Sequence, residues 1–208
     1  MAPIIDVVRH GEARHNVERN GRNVHDPMLT VKGIRQCFAL QNSYPHMDGV
    51  AYLISSPMRR TIYTAVHAFE PLLETGKPIH LVPELQEFGD SPANTGSCRS
   101  KLVAEFGSRI DASLLEREDW SMNSVAETDF SGPAWAKRTH ADRAREARLY
   151  IRDLARRCGE DDHIVIITHC GLARTMIEGF PILKNTELIA CSFADLHGDD
   201  NQAKLVPL

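Results

Sequence analysis

Two apolar runs in this chain end in the same way. IIDVV (residues 4–8) leads into Arg9-His10-Gly11, and HIVIIT (residues 163–168) leads into His169-Cys170-Gly171. Runs this short and this dense in apolar residues read as strands buried on both faces, and such strands belong to parallel sheets covered by helices. The intervening sequence supplies those helices. DPMLTVKGIRQCFALQ carries Thr30 as a cap ahead of Ile34, Cys37 and Phe38 at helical spacing. A further apolar run over residues 50–54 precedes SSPMRRTIYTAVHAFEPLL, in which Ser56 reads as an N-cap and Pro57 as a first-turn residue. A short strand is expected over 79–82 and a long helix over 139–158, where Ala141, Ala144, Ala147, Ile151, Leu154, Ala155 and Cys158 share one face. The segment after His169 reads as a helix ending near Gly179. Strand and helix alternate, so the expected fold is an α/β three-layer sandwich with a mostly parallel central sheet and helices on both faces.

At 208 residues the chain suits a single domain, 1–208, with a sizeable core. The irregular stretch over about 88–133 is long for a loop and is expected to form an inserted cap over the site. Twenty-four basic residues against 28 acidic ones leave no overall positive field, so no nucleic acid and no membrane is expected as a partner, and any anion site must be local. Five scattered cysteines without a C-x-x-C pair favour a reduced, cytoplasmic protein and suggest neither a metal site nor a cofactor. Asp6 and Arg9 interrupt the N-terminal apolar run, which therefore does not read as a signal sequence. No later run approaches the roughly 20 apolar residues of a spanning helix. A homodimer stays open, because an apolar stripe serves a core or an interface equally, with core as the default.

In an open α/β sheet, ligands bind beyond the carboxyl ends of the strands, which brings His10 and His169 within reach of one site. The run over 50–54 adds Arg59 and Arg60 at the start of the next helix, where guanidinium forks and free backbone N–H groups suit a dianion. Two histidines with two or three arginines have the chemistry of a phosphate pocket. His15 and His25 are candidates for its mouth. A carboxylate for acid–base work is available at Glu84 or Glu87, and spacing alone does not separate them.

The motifs resemble those of the histidine phosphatase superfamily, in its phosphoglycerate-mutase-like branch. RHGEARHN is similar to the family's opening signature with its downstream asparagine, here Asn16; DPMLTVKGIRQC is similar to its Leu-Thr-x-x-Gly-x-x-Gln segment; SPMRRTIYTA aligns Arg60, rather than Arg59, with the pocket arginine. ELQEFGDSPANTGS resembles the acid–base segment, with Glu87 in the carboxylate's place, and ITHCGLAR resembles the second-histidine segment. Trp120 and the late Asn185-Thr186-Glu187 are similar to uncharacterised fungal members. The resemblance implies a phosphoglycerate-mutase-like fold and a metal-independent phosphomonoesterase acting on a small phosphorylated metabolite. His10 would be the nucleophile, Glu87 the acid and base, and Arg9, Arg60 and His169 the groups that stabilise the transferring phosphoryl charge. Asn16 would donate a further hydrogen bond, Gly11 would let the phosphate approach the backbone, and Cys170 would stand beside the phosphate.

Two positions depart from the pattern. Cys170 replaces the glycine of the commonest members, and Asn94 stands where an aspartate is expected in similar fungal chains. Two alternatives accompany the phosphatase reading. One is a phosphoglycerate-type mutase; the other is an acid–base enzyme or anion-binding module that uses the same pocket without phosphoryl transfer.

Overall fold

The computed structural model describes residues 2–121, 139–177 and 182–208. In chain order its elements are β1 (Ile4–Arg9), α1 (Arg14–Val17), α2 (Val31–Ser43), β2 (Val50–Ser55), α3 (Arg59–Ala68), α4 (Glu70–Glu74), β3 (Ile79–Leu81), α5 (Arg99–Phe106), β4 (Ile110–Asp111), α6 (His140–Ala155), β5 (His163–Thr168), α7 (Cys170–Met176), β6 (Leu188–Phe193) and β7 (Leu205–Pro207), joined by loops and short 3-10 turns. The strands form one sheet in the order β4-β3-β2-β5-β1-β6-β7. All pairs from β4 to β1 are parallel, while β6 and β7 run antiparallel at the other edge.

The apolar runs are continuous because both faces of the sheet are covered. Along β5, Val165 and Ile167 point into a core shared with Cys37 and Leu40 of α2, Ile62 of α3 and Leu102 of α5. Ile164 and Ile166 point the opposite way, against Ala147 and Ile151 of α6 and Leu172 and Met176 of α7. A period of two meets apolar partners at every position, which removes the polar alternation of a half-buried strand. Asp6 is the one polar break in β1. It is 2% exposed, and its Oδ2 accepts hydrogen bonds from the Tyr44 hydroxyl at 2.7 Å and from His163 Nδ1 at 2.6 Å.

Several expectations change in detail. The helix after β2 begins at Arg59 with Met58 as its cap residue, so Ser56 is not the N-cap. Ser56 instead extends the sheet through its N–H to Ile167 O and turns its hydroxyl toward His169. α7 stops at Met176, and Gly179 lies outside the described residues. Part of the segment expected as a cap is built into the body: β4 pairs with β3, and Leu102, Phe106, Ile110, Leu115 and Trp120 join the core on the side of α2 and α3. Residues 122–133 of that segment lie outside the described residues. Among the described residues, no helix is long and apolar enough to cross a membrane.

Candidate active site

The register of the two central strands brings the histidines together. Arg9 lies opposite Thr168 in the parallel β1–β5 pair, so the next residues, His10 and His169, leave the sheet at the same level. Their ring centroids are 5.2 Å apart. His10 is 2% exposed, its N–H bonds to Thr168 O, and its Nδ1 lies 2.7 Å from Gly11 O. A carbonyl only accepts, so Nδ1 carries the proton and Nε2 is left with a free lone pair. His169 is fully buried, with Nε2 2.9 Å from Ser56 Oγ and Nδ1 without a partner.

Three cations or donors surround this pair. Arg60 of α3 is completely buried and donates from Nη1 to Ala93 O at 2.6 Å and from Nη2 to Asn94 Oδ1 at 3.1 Å. The neutral amide of Asn94 holds this guanidinium without cancelling its charge, which an aspartate there would do. Arg9 donates from Nη1 to Leu183 O at 2.6 Å. His15 lies 5.5 Å from His10 between ring centroids, and the amide nitrogen of Asn16 donates to its Nε2 at 3.1 Å. That contact leaves the His15 proton on Nδ1. Four buried side-chain nitrogens among the described residues lack any partner: Arg9 Nε, His15 Nδ1, Arg60 Nε and His169 Nδ1. All four belong to this one cluster. Unpaired buried polar atoms cost about 1–3 kcal/mol each, and three of these four, on Arg9, His15 and Arg60, are donors, so their concentration at one place marks a site built for an acceptor-rich ligand.

Glu87 lies on the wall of the cavity beside this cluster, a space of about 560 Å³ lined also by Arg9, His15, Asn16, Arg22 and Gly171. Its carboxylate spans the start of α7, accepting from Gly171 N at 3.1 Å and Leu172 N at 3.2 Å, and from Phe88 N at 3.0 Å. Glycine at 171 is what allows this approach, because a Cβ there would stand 2.5 Å from Glu87 Oε1. Glu84, the alternative carboxylate, sits in a 3-10 turn and does not line the cavity.

The remaining expected residues divide. Asn16 borders the cavity and Arg59 does not; Arg59 pairs with Glu105 at 2.8 Å. Glycine at 11 is required by the contact with α2, since a Cβ would meet Gly33 O at 2.9 Å and Cys37 Sγ at 3.1 Å. Its N–H is given to Thr64 Oγ1 at 2.9 Å. Cys170 opens α7 and is not part of the cavity wall, and His25 is exposed away from it. Ser56 and Thr64 are the serine and threonine that stand four residues either side of Arg60 in SPMRRTIYTA, and they meet His169 and the Gly11 N–H, respectively; Arg22 carried no motif signal.

Burial and the arginine charges hold all three pocket histidines neutral. His10 and His169 are pushed well below the usual histidine value, first by burial and then by Arg60. His15 is pulled down from 6.5 to about 3 by burial, with Arg60, Arg9 and Arg22 adding to it. The linkage has a definite sign. Below 6.5 the unfolded chain takes up protons that the folded chain refuses, so this contribution is full above 6.5 and is lost progressively toward about 3. The urea midpoint is therefore expected to fall between pH 7 and pH 5, less steeply in His15→Asn. Inorganic phosphate should offset the fall by supplying the missing acceptors. A midpoint that is flat over that range, or equally steep in the variant, would contradict this account of the pocket.

Comparison with known proteins agrees with the architecture. A family model described as histidine phosphatase superfamily (branch 1) matches residues 5–205. A probable phosphatase of Schizosaccharomyces pombe is 34% identical over 105 residues, a match spanning 48% of this chain and about half, 47%, of that protein. Among solved structures, a mycobacterial glucosyl-3-phosphoglycerate phosphatase superposes with a TM-score of 0.62 at 20% identity, over 99% of this chain and 97% of the other. A phosphoserine phosphatase from Entamoeba histolytica gives 0.59 at 20% identity, over 99% and 94%. At such identities the structural likeness bears on the fold.

Proposed function

The chain belongs to the histidine phosphatase superfamily, and from that premise we propose that it is a phosphomonoesterase acting on a small phosphorylated metabolite through a phosphohistidine on His10. The observation that carries this reading is the set of four unpartnered buried nitrogens around His10 and His169. In the first half-reaction the His10 Nε2 lone pair forms a bond to phosphorus as the ester P–O bond breaks. Glu87 gives the departing oxygen its proton. In the second, water attacks the phosphohistidine, the N–P bond breaks, and Glu87 takes the water's proton; the products are an alcohol and inorganic phosphate. Arg9, Arg60, His15 and His169 hold the charge that spreads over the phosphoryl oxygens, so the step calls for no metal ion. Support for a small metabolite comes from two of the proteins with the same fold, which are phosphatases of glucosyl-3-phosphoglycerate and of phosphoserine.

The test is intact-mass analysis without acid, after brief exposure to an aryl phosphate, with the modified residue located by fragmentation. One phosphoryl adduct on His10, with phosphate release, is the expected result. Turnover without an adduct, or an adduct elsewhere, would overturn the phosphohistidine. No release from several esters would favour an acid–base enzyme or an anion-binding module.

A further inference from the structure

A second cavity, of about 280 Å³, lies toward the opposite end of β1 from the phosphate pocket, and Asp6 is part of its wall. It lies between the end of α2 and one face of β1 and β6, with Ile4, Leu40, Pro45, Leu188 and Ala190 as its apolar wall. Asp6 precedes His10 by four residues, which separates the two by about 13 Å at about 3.3 Å per residue of strand. One oxygen of this 2%-exposed carboxylate is fully engaged, since Oδ2 accepts from both the Tyr44 hydroxyl and His163 Nδ1. Burial and the bond to Asp6 push the Tyr44 hydroxyl up from its usual value, so it stays protonated and goes on donating. Oδ1 makes no hydrogen bond among the described residues. The sealed side-chain atoms that lack partners are the four at the phosphate pocket, so Oδ1 is not sealed and meets the cavity that Asp6 lines. His163 donates from Nδ1 and so keeps a lone pair on Nε2, which is likewise unpartnered and unsealed.

We propose that this cavity is a binding site for a small organic cation, an amine or amidine carried on one apolar ring, whose N–H groups meet Asp6 Oδ1 and His163 Nε2. A carboxylate this deeply buried is costly unless donors meet its lone pairs, and the cavity wall has none to spare. It contains no lysine or arginine, the Ser43 hydroxyl donates to Leu40 O at 3.2 Å, and the Tyr44 hydroxyl is used on Oδ2. A cationic N–H group supplies both the donor and the opposite charge. The ring is required by the rest of the wall. His46 and His163 stack at 4.2 Å with Tyr44 edge-on to both, and these faces together with the aliphatic side chains suit a flat apolar body that a bare ammonium or metal ion lacks. The site shares no residue with the phosphate pocket, so it stands or falls independently of the phosphatase reading.

Calorimetry on the native protein near pH 8 tests the site with benzamidine, benzylamine, benzyl alcohol and benzoate, which share the ring and differ in the head group. One-to-one binding of benzamidine or benzylamine, tighter than benzyl alcohol by about tenfold or more and with benzoate weakest, is the expected result. Ala190→Leu puts a larger side chain into the cavity and leaves the Asp6 hydrogen bonds in place; it should abolish that binding. Asp6→Asn should reduce the amines to the level of the alcohol, and if circular dichroism shows this variant unfolded, Ala190→Leu decides. Saturating inorganic phosphate should not displace the amine. Equal affinity for amine and alcohol overturns the proposal, because the cavity would then read only the ring, and so does a preference for benzoate or no binding of any of the four. Binding that survives Ala190→Leu, or that phosphate displaces, places the amine elsewhere and overturns it too. A dimer in sedimentation that Ala190→Leu separates, with no amine bound to the native protein, would mean that a second copy covers the cavity, which also overturns it.

Discussion

His10→Ala is expected to lose roughly 10⁴-fold or more in turnover, with no phosphoenzyme, because covalent catalysis has no partial substitute once its nucleophile is gone. The structure makes the assignment atom-specific. Nδ1 is held by Gly11 O at 2.7 Å, so the nitrogen left free to react is Nε2, and its lone pair is available because burial and Arg60 keep the ring neutral. Alanine leaves a space beside His169 and His15, whose rings lie 5.2 and 5.5 Å from that of His10. Added imidazole can enter that space and accept the phosphoryl group, so partial recovery of phosphate release is expected in His10→Ala. Recovery should track the neutral form of imidazole. A variant that keeps activity within tenfold of the native protein would show that water attacks phosphorus directly and that His10 only binds.

Asp6→Ala is expected to destabilise the fold by about 2–6 kcal/mol, a large share of a domain's net stability. Asp6 sits in the middle of β1, between Val165 of β5 and Ala190 of β6, and is 2% exposed. Its removal leaves the Tyr44 hydroxyl and His163 Nδ1 without their acceptor, and each buried donor costs about 1–3 kcal/mol. His163 is itself 5% exposed and stacks on His46 at 4.2 Å. Asp6→Asn keeps one acceptor oxygen and should cost less. Urea unfolding followed by circular dichroism reads both; a loss under about 1 kcal/mol for Asp6→Ala would mean that water replaces the carboxylate.

The readable part of this protein was whatever lies within one short stretch of chain. IIDVV and HIVIIT announced two doubly covered strands, and the Arg-His-Gly and His-Cys-Gly that follow them announced two histidines at strand ends. β6, β7 and β4 went unread for a physical reason: β6 and β7 form an antiparallel edge with mixed burial, and β4 has only two residues, too few to show a period. The choice between Glu84 and Glu87 was open on spacing alone and came only from family resemblance. In the structure the two differ because α7 offers its first N–H groups to one of them.

By itself, the sequence determined the layered α/β plan, the strand ends that hold His10 and His169, and the arginine-bearing helix after β2, since each depends on local pattern and chain direction. Tertiary structure alone decided that Ser56 meets His169 across 113 residues and that Gly11 gives its N–H to Thr64 across 53. It also decided that the turn at Gly21 closes onto His15, and that four nitrogens from three separate segments are left together without partners. Hydrogen bonds and charges act over a few ångströms of space whatever the distance along the chain, so these relations exist only once the sheet has set its register.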